Sequence, residues 1–268
     1  MATHFSVAKD FLLHHPPKII FTKIFEKLTH KKISFQHALQ QACNSKRGLE
    51  IGGPSGIFQA GGYCPIYPFA KQMDCVNFST NTVWEGKIEE GNHFKYGAAQ
   101  TGYQWIQEAT DLEKIKDNAY DFLISSNCLE HSANTLKAVN EWQRVVKKDG
   151  FLLMILPKKE SNFDHKRTVT TFSHLLEDYN NNIAEDDLTH LPEILRLHDL
   201  KRDGPAGSFD NFKKRSEQNF IYRCLHHHVF DLDLLEEIAV YFNMQVMFKE
   251  SSAMNHYIMV RKINSEIF

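Results

Sequence analysis

Short apolar runs separated by polar or helix-like stretches set the pattern from about residue 48 onward. "LEI" at 49–51, "MDCVNF" at 73–78, "YQWIQ" at 103–107, "YDFLISS" at 120–126 and "FLLMILP" at 151–157 are strand-like. "MQVMF" and "HYIMVRK" near the end supply two more. Between the fourth and fifth runs, Leu136, Val139, Trp142, Val145 and Val146 recur at helical spacing, which predicts an amphipathic helix ending at Gly150. Strand, helix, strand is the order of a parallel βαβ unit. Ahead of this, Ile24, Phe25 and Leu28, then Phe35, Ala38, Leu39 and Ala42, predict helices packed on the core.

Residues 158–229 break the rhythm. They are polar, carry Asn180, Asn181 and Asn182, and hold helical pieces such as "FSHLLEDY". Their place after the fifth strand predicts an inserted cap over the carboxyl edge of the sheet, where ligands bind in open α/β folds. The expected organisation is an N-terminal helical extension at 1–45 and one domain at 46–262 carrying the cap at 158–229.

Composition narrows the classes of function. Of 268 residues 42% are hydrophobic and 24% charged, which is ordinary for a globular chain able to bury a core. A net charge of −2 argues against a general nucleic-acid binder. Five scattered cysteines without a C-x-x-C pair indicate neither a disulfide framework nor a cysteine zinc site. With no apolar run long enough to span a bilayer and no leader-like N-terminus, the expectation is a cytoplasmic protein.

"GLEIGGPSGIF" at 48–58 concentrates glycine where the first strand ends. Glycine permits a tight turn and brings bare N–H groups against a ligand. The run lacks the G-x-G-x-x-G of nicotinamide binders, which ranks an NAD-type oxidoreductase low. Glu50, Gly52 and Gly56 instead form acid-x-Gly-x-x-x-Gly, and "YDFLISSNCLEH" supplies Asp121, Leu129, Glu130 and His131 in a D-to-L-E-H pattern. Together these segments resemble the class I S-adenosylmethionine-dependent methyltransferases over roughly 46–160 and 226–262. The resemblance implies an α/β, Rossmann-like, mostly parallel seven-stranded sheet with helices on both faces. It implies S-adenosyl-L-methionine as cofactor, held by Glu50, Gly52, Gly53, Pro54, Ser55 and Gly56 at the first turn. Asn77 falls where the family has an acidic residue for the ribose, Thr110, Asp111 and Leu112 are candidates for the adenine, and Ser126 and Asn127 edge the methionine end. Pro54 departs from the family's middle glycine and removes an N–H. "GIFQAGGYCPIYPFA" replaces a clean first helix with a short or broken one.

Histidines crowd the later part of the chain: His165, His190, His198, His226, His227 and His228, with Asp164, Asp199 and Asp231 nearby. For a hydroxyl acceptor a histidine is the natural base at neutral pH, and His165, His131 and His228 are the candidates in that order. The spacings match no H-E-x-x-H and no metal site is assigned, although His and Asp are zinc and iron ligands. If the "HHHV" run is extended, His226 and His228 share a face. Lys166 and Arg167 are candidates for an anionic group on the acceptor, while Lys213 to Arg215 suit a solvated face. The expected partner is a small polar acceptor, anionic or a saccharide hydroxyl, with no nucleic acid. Two other readings stand beside methyl transfer: a retired fold that only binds, and a metal-dependent hydrolase built on the histidines.

Overall fold

The computed structural model describes residues 11–263. Its centre is an eight-stranded sheet ordered β5-β6-β2-β1-β7-β8-β10-β9. The strands are β1 (Arg47–Ile51), β2 (Gln72–Asn77), β5 (Gly91–Lys95), β6 (Thr101–Ile106), β7 (Tyr120–Ser126), β8 (Val146–Pro157), β9 (Met244–Ser251) and β10 (Asn255–Lys262). β6, β2, β1, β7 and β8 run parallel; β5 at one edge and β10 beside β8 are antiparallel. A two-stranded hairpin of β3 (Asn81–Thr82) and β4 (Gly86–Lys87) stands apart from the sheet.

Strands buried on both faces read as continuous apolar runs, which is why β1, β7 and β8 are plain in the sequence. Alternate residues feed two cores. Leu49, Leu123, Leu152 and Met154 pack under helix α3 (Thr135–Val145), whose Leu136, Val139 and Trp142 are buried, and under α8 (Leu232–Tyr241). Phe122, Ile124, Phe151 and Leu153 face the other side, toward α2 (Gln36–Cys43) and residues 56–70.

Three expectations change. The sheet has eight strands rather than seven: the addition, β5, is "GNHFK", in which Phe94 alone is fully buried, so its pattern hardly differs from a loop. α3 ends at Val145, not Gly150, because Val146 already pairs with Tyr120 in the sheet. Gly150 serves packing instead: a Cβ there would sit 2.5 Å from the Asp121 carbonyl oxygen. In the N-terminal extension, α2 buries Leu39 and Cys43, but α1 (Pro17–Leu28) leaves Ile24, Phe25 and Leu28 exposed, Leu28 at 76%. Residues 1–10 lie outside the described part. The short first helix is a single turn, Gly56–Phe58.

Residues 158–229 fold as α4 (Phe172–Asn180), α5 (Leu191–Leu197), α6 (Phe209–Glu217) and α7 (Asn219–Tyr222) around a small core of Ile194, Ala206, Phe212 and Leu225. They meet the carboxyl ends of the strands through Arg223 with Glu108, Leu225 with His131, and the His227 amide with the Glu130 carbonyl. No helix among the described residues is long and apolar enough to cross a membrane.

Candidate functional site

A cavity of about 700 Å³ lies between the strand ends and this overlying segment. Its floor comes from the turn after β1, with Gly52, Pro54 and Ser55 on the wall. Gly52 has φ +82° and its N–H donates to the Val76 carbonyl. A side chain is disfavoured at that φ, so the turn offers bare backbone to the cavity. Gly53 lies against Glu50 so closely that a Cβ would fall 2.1 Å from its carboxyl carbon.

Glu50 itself is fully buried beneath the turn. One oxygen accepts from the Tyr67 hydroxyl at 2.5 Å, and that hydroxyl accepts from the Ser55 N–H at 2.9 Å. The other oxygen has no protein partner. Burial pushes the carboxyl up to about 7, more than the Tyr67 hydrogen bond offsets. Glu50 therefore shapes the turn from below, while Gly56 begins the single turn beyond it.

Asn77 reaches the wall at the end of β2, but its amide is engaged. Nδ2 donates to the Gly53 carbonyl at 2.9 Å and Oδ1 accepts from the Trp84 indole at 3.2 Å. It ties the glycine turn to the β3–β4 hairpin. The carboxylate on this side is Glu85, from the same hairpin, which lines the cavity and has no ion-pair partner among the described residues. Burial raises its pKa. Phe78 and Trp84, with ring centroids 5.8 Å apart, complete an aromatic rim.

Beyond β6 the wall is Gln107, Glu108 and Ala109. Thr110, Asp111 and Leu112 fall just past it. Thr110 and Asp111 open on a separate cleft with Glu141 and Arg144, and Leu112 is core, its N–H donating to Glu141. The chain leaves the sheet at Ile106, so Gln107 to Ala109 border the cavity and residues 110–112 lie beyond it. Ser126, the last residue of β7, and Asn127 after it line the cavity.

Of the three histidines expected to act, one borders the cavity. His131 does, donating from Nδ1 to the Leu225 carbonyl at 2.9 Å; burial pulls its pKa to about 3, so it is neutral. His165 is off the wall and paired with Asp199 at 2.9 Å. His228 is buried elsewhere, against Thr135 and Asp178. His226 lines the cavity instead, and so does not share a site with His228. Its Nδ1 donates to Asp164 Oδ2 at 2.5 Å, and its Nε2 is 3.9 Å from Glu130. Burial opposes charge on His226, but Asp164 outweighs it and raises the pKa. Against the same burial penalty, the His226 imidazolium and Arg167 hold Asp164 down at about 2. Glu130, buried with both oxygens unpartnered, is pushed up to about 7. A fixed carboxylate behind an imidazole is the arrangement of a positioned base.

The basic residues also change roles. Arg167, 3% exposed, spends its guanidinium on Asp164 and the carbonyls of His226 and His227, so it holds the histidine run rather than a ligand. Lys166 is exposed beside it. Arg215 reaches the cavity through Asp203, with its Nε–H buried and unpartnered. Arg223 joins it, bound to Glu108 at 2.6 Å and Glu185 at 2.8 Å. The signal for His226 was present in the sequence as an Asp and a His in one segment, without any rule for which pair would meet.

Residues 62–154 match a family model described as a methyltransferase domain. Among solved structures, the chain is similar to a SAM-dependent methyltransferase from Aquifex aeolicus at 12% identity, covering 95% of this chain and 97% of that one, with a TM-score of 0.45. A SAM-dependent methyltransferase from Methanosarcina mazei is similar at 12% identity, with 87% and 99% of the two chains covered and a TM-score of 0.44. Among curated proteins none matches.

Proposed function

We propose that this chain, an S-adenosylmethionine-dependent enzyme with a class I methyltransferase domain, methylates a hydroxyl on a small polar acceptor with His226 as the base. The observation that carries the reading is the Asp164–His226 pair on the wall of a cavity whose floor is the Gly52 turn.

The cofactor, when bound, supplies a methyl group already activated as an electrophile on its sulfonium. This chain then has to hold, align and exclude water. Gly52 and Ser55 give the first turn its open backbone, and Ser126 and Asn127 border the far end. Glu85, rather than Asn77, offers a carboxylate for the ribose hydroxyls, and Phe78 with Trp84 offer the aromatic rim. Across the cavity, Asp164 keeps the proton on His226 Nδ1, so Nε2 is the nitrogen left to accept the acceptor's proton, and the imidazolium formed is stabilised in place. Neutral His131 can hydrogen-bond without competing for that proton. Orientation can contribute roughly 7 to 11 kcal/mol and a base about 10²- to 10⁴-fold. Arg215, with its buried unpartnered N–H, favours an acceptor carrying a carboxylate or phosphate, such as an acidic saccharide.

Calorimetric titration with S-adenosylhomocysteine tests the floor of the site. Micromolar binding in the wild type, abolished in Gly52→Val and with no response to NADP, is expected. A wild type that ignores S-adenosylhomocysteine would overturn the reading.

A further inference from the structure

Away from the cavity, four side chains of the overlying segment converge. His174 and Asp178 sit one turn apart on α4, His190 precedes α5, and His228 belongs to the irregular run at 225–228. One donor atom from each lies within 4.8 Å of all the others. His174 Nε2 is 3.1 Å from His190 Nε2 and 3.5 Å from Asp178 Oδ2, and Asp178 Oδ2 is 3.0 Å from His228 Nε2.

Three imidazole nitrogens and one carboxylate oxygen are the donor set of a tetrahedral zinc site. With metal–ligand bonds of about 2.0 to 2.1 Å, tetrahedral geometry separates the donors by roughly 3.3 Å. These three separations bracket that value. Ligating histidines commonly have the second ring nitrogen oriented by a polar partner. Here His228 Nδ1 is 3.2 Å from Thr135 Oγ1. We infer that His174, Asp178, His190 and His228 bind one structural zinc ion. Four protein donors leave no open position, so the metal does not act on substrate. It fastens α4, the start of α5 and the 225–228 run to one another, and through Thr135 to the start of α3.

A second group, Glu130, His131 and His226, also has donor atoms within 4.8 Å. It borders the cavity and offers three donors rather than four, with His226 Nδ1 taken by Asp164. It therefore serves as the internal comparison.

The test is metal analysis of the full-length protein, purified without a histidine tag and dialysed against metal-free buffer. About one zinc per chain is expected, falling to background in His174→Ala and Asp178→Asn but not in His165→Ala or His226→Ala. Half-exposed His174 makes the first variant the one least prone to misfold. For stripped wild-type protein, added zinc should raise Tm, and cobalt(II) should give the intense visible bands of a tetrahedral site. Stripped protein with no Tm response to zinc or cobalt would overturn the proposal. So would zinc that persists in the His174→Ala/Asp178→Asn double variant, or that disappears only in His226→Ala.

Discussion

His226 and His131 meet at the same cavity with opposite proton affinities, one raised by Asp164 and the other lowered by burial. If His226 is the base, it must be neutral to act, so kcat/KM should rise with pH along a limb lying above the ordinary histidine value. Asp164→Asn removes the charge that raises that pKa and should move the limb to lower pH. A pH–rate profile with the limb unmoved would separate Asp164 from the chemistry. His226→Ala should lower kcat by about 10²- to 10⁴-fold while S-adenosylhomocysteine binding, read by calorimetry, stays within a few-fold. Glu50 gives a second, independent titration. Its folded pKa of about 7 exceeds the 4.5 of an ordinary glutamate, so the folded chain keeps a proton that the unfolded chain releases. Stability from this group is full below the lower value and is lost as pH rises through the upper one. Glu50→Gln should flatten the fall in Tm across that window, measured by thermal melts in a pH series. At this scale the sequence was least legible. It showed that histidines, acids and arginines were plentiful, but Arg167 and Arg215 look alike on paper, and only folding sends one into a carbonyl-lined interior and the other to the cavity.

Elements were far easier to read, because strands buried on both faces read as near-continuous apolar runs. β7 matches its apolar run residue for residue, and β1, β8 and β10 differ from theirs only at the ends. β5 escaped notice since an edge strand is specified by its one paired side, and "GNHFK" carries little pattern. The end of α3 escaped for another reason: Gly150 looks like a helix stop yet answers to a neighbouring strand. Gly102 in β6 is a similar case. A Cβ there would lie 1.7 Å from the Met73 carbonyl oxygen in β2, a backbone atom that cannot swing away. Gly102→Ala should therefore cost about 1 to 3 kcal/mol, visible as a lower urea midpoint at unchanged slope.

For the molecule as a whole, the decisive joint is between sheet and overlying segment. Arg223 holds it, in a left-handed backbone conformation at φ 50°, bound to Glu108 from the sheet side and to Glu185, with its guanidinium carbon 4.9 Å from the Phe78 ring centre. Removing it leaves Glu185 buried beside no cation, which for such a pair typically costs about 3 to 5 kcal/mol. Arg223→Ala should speed hydrogen exchange across 180–228 while β1 and β7 stay protected, and should weaken S-adenosylhomocysteine binding. Uniform exchange in both regions would mean that sheet and overlying segment open as one. The methyltransferase resemblance made the sheet predictable. The joint was not, because its partners are 115 residues apart in the chain for Arg223 and Glu108.

The hairpin that carries Glu85 also carries Trp84, 43% exposed at the mouth of the cavity with its indole anchored to Asn77. The chain has three tryptophans; Trp142 is sealed in the core and Trp105 is bonded to Tyr120 away from the cavity. Whatever settles against the aromatic rim will therefore change the emission of one indole while two others hold constant. The protein carries its own optical gauge of occupancy, and Trp84→Phe would switch it off without removing the rim.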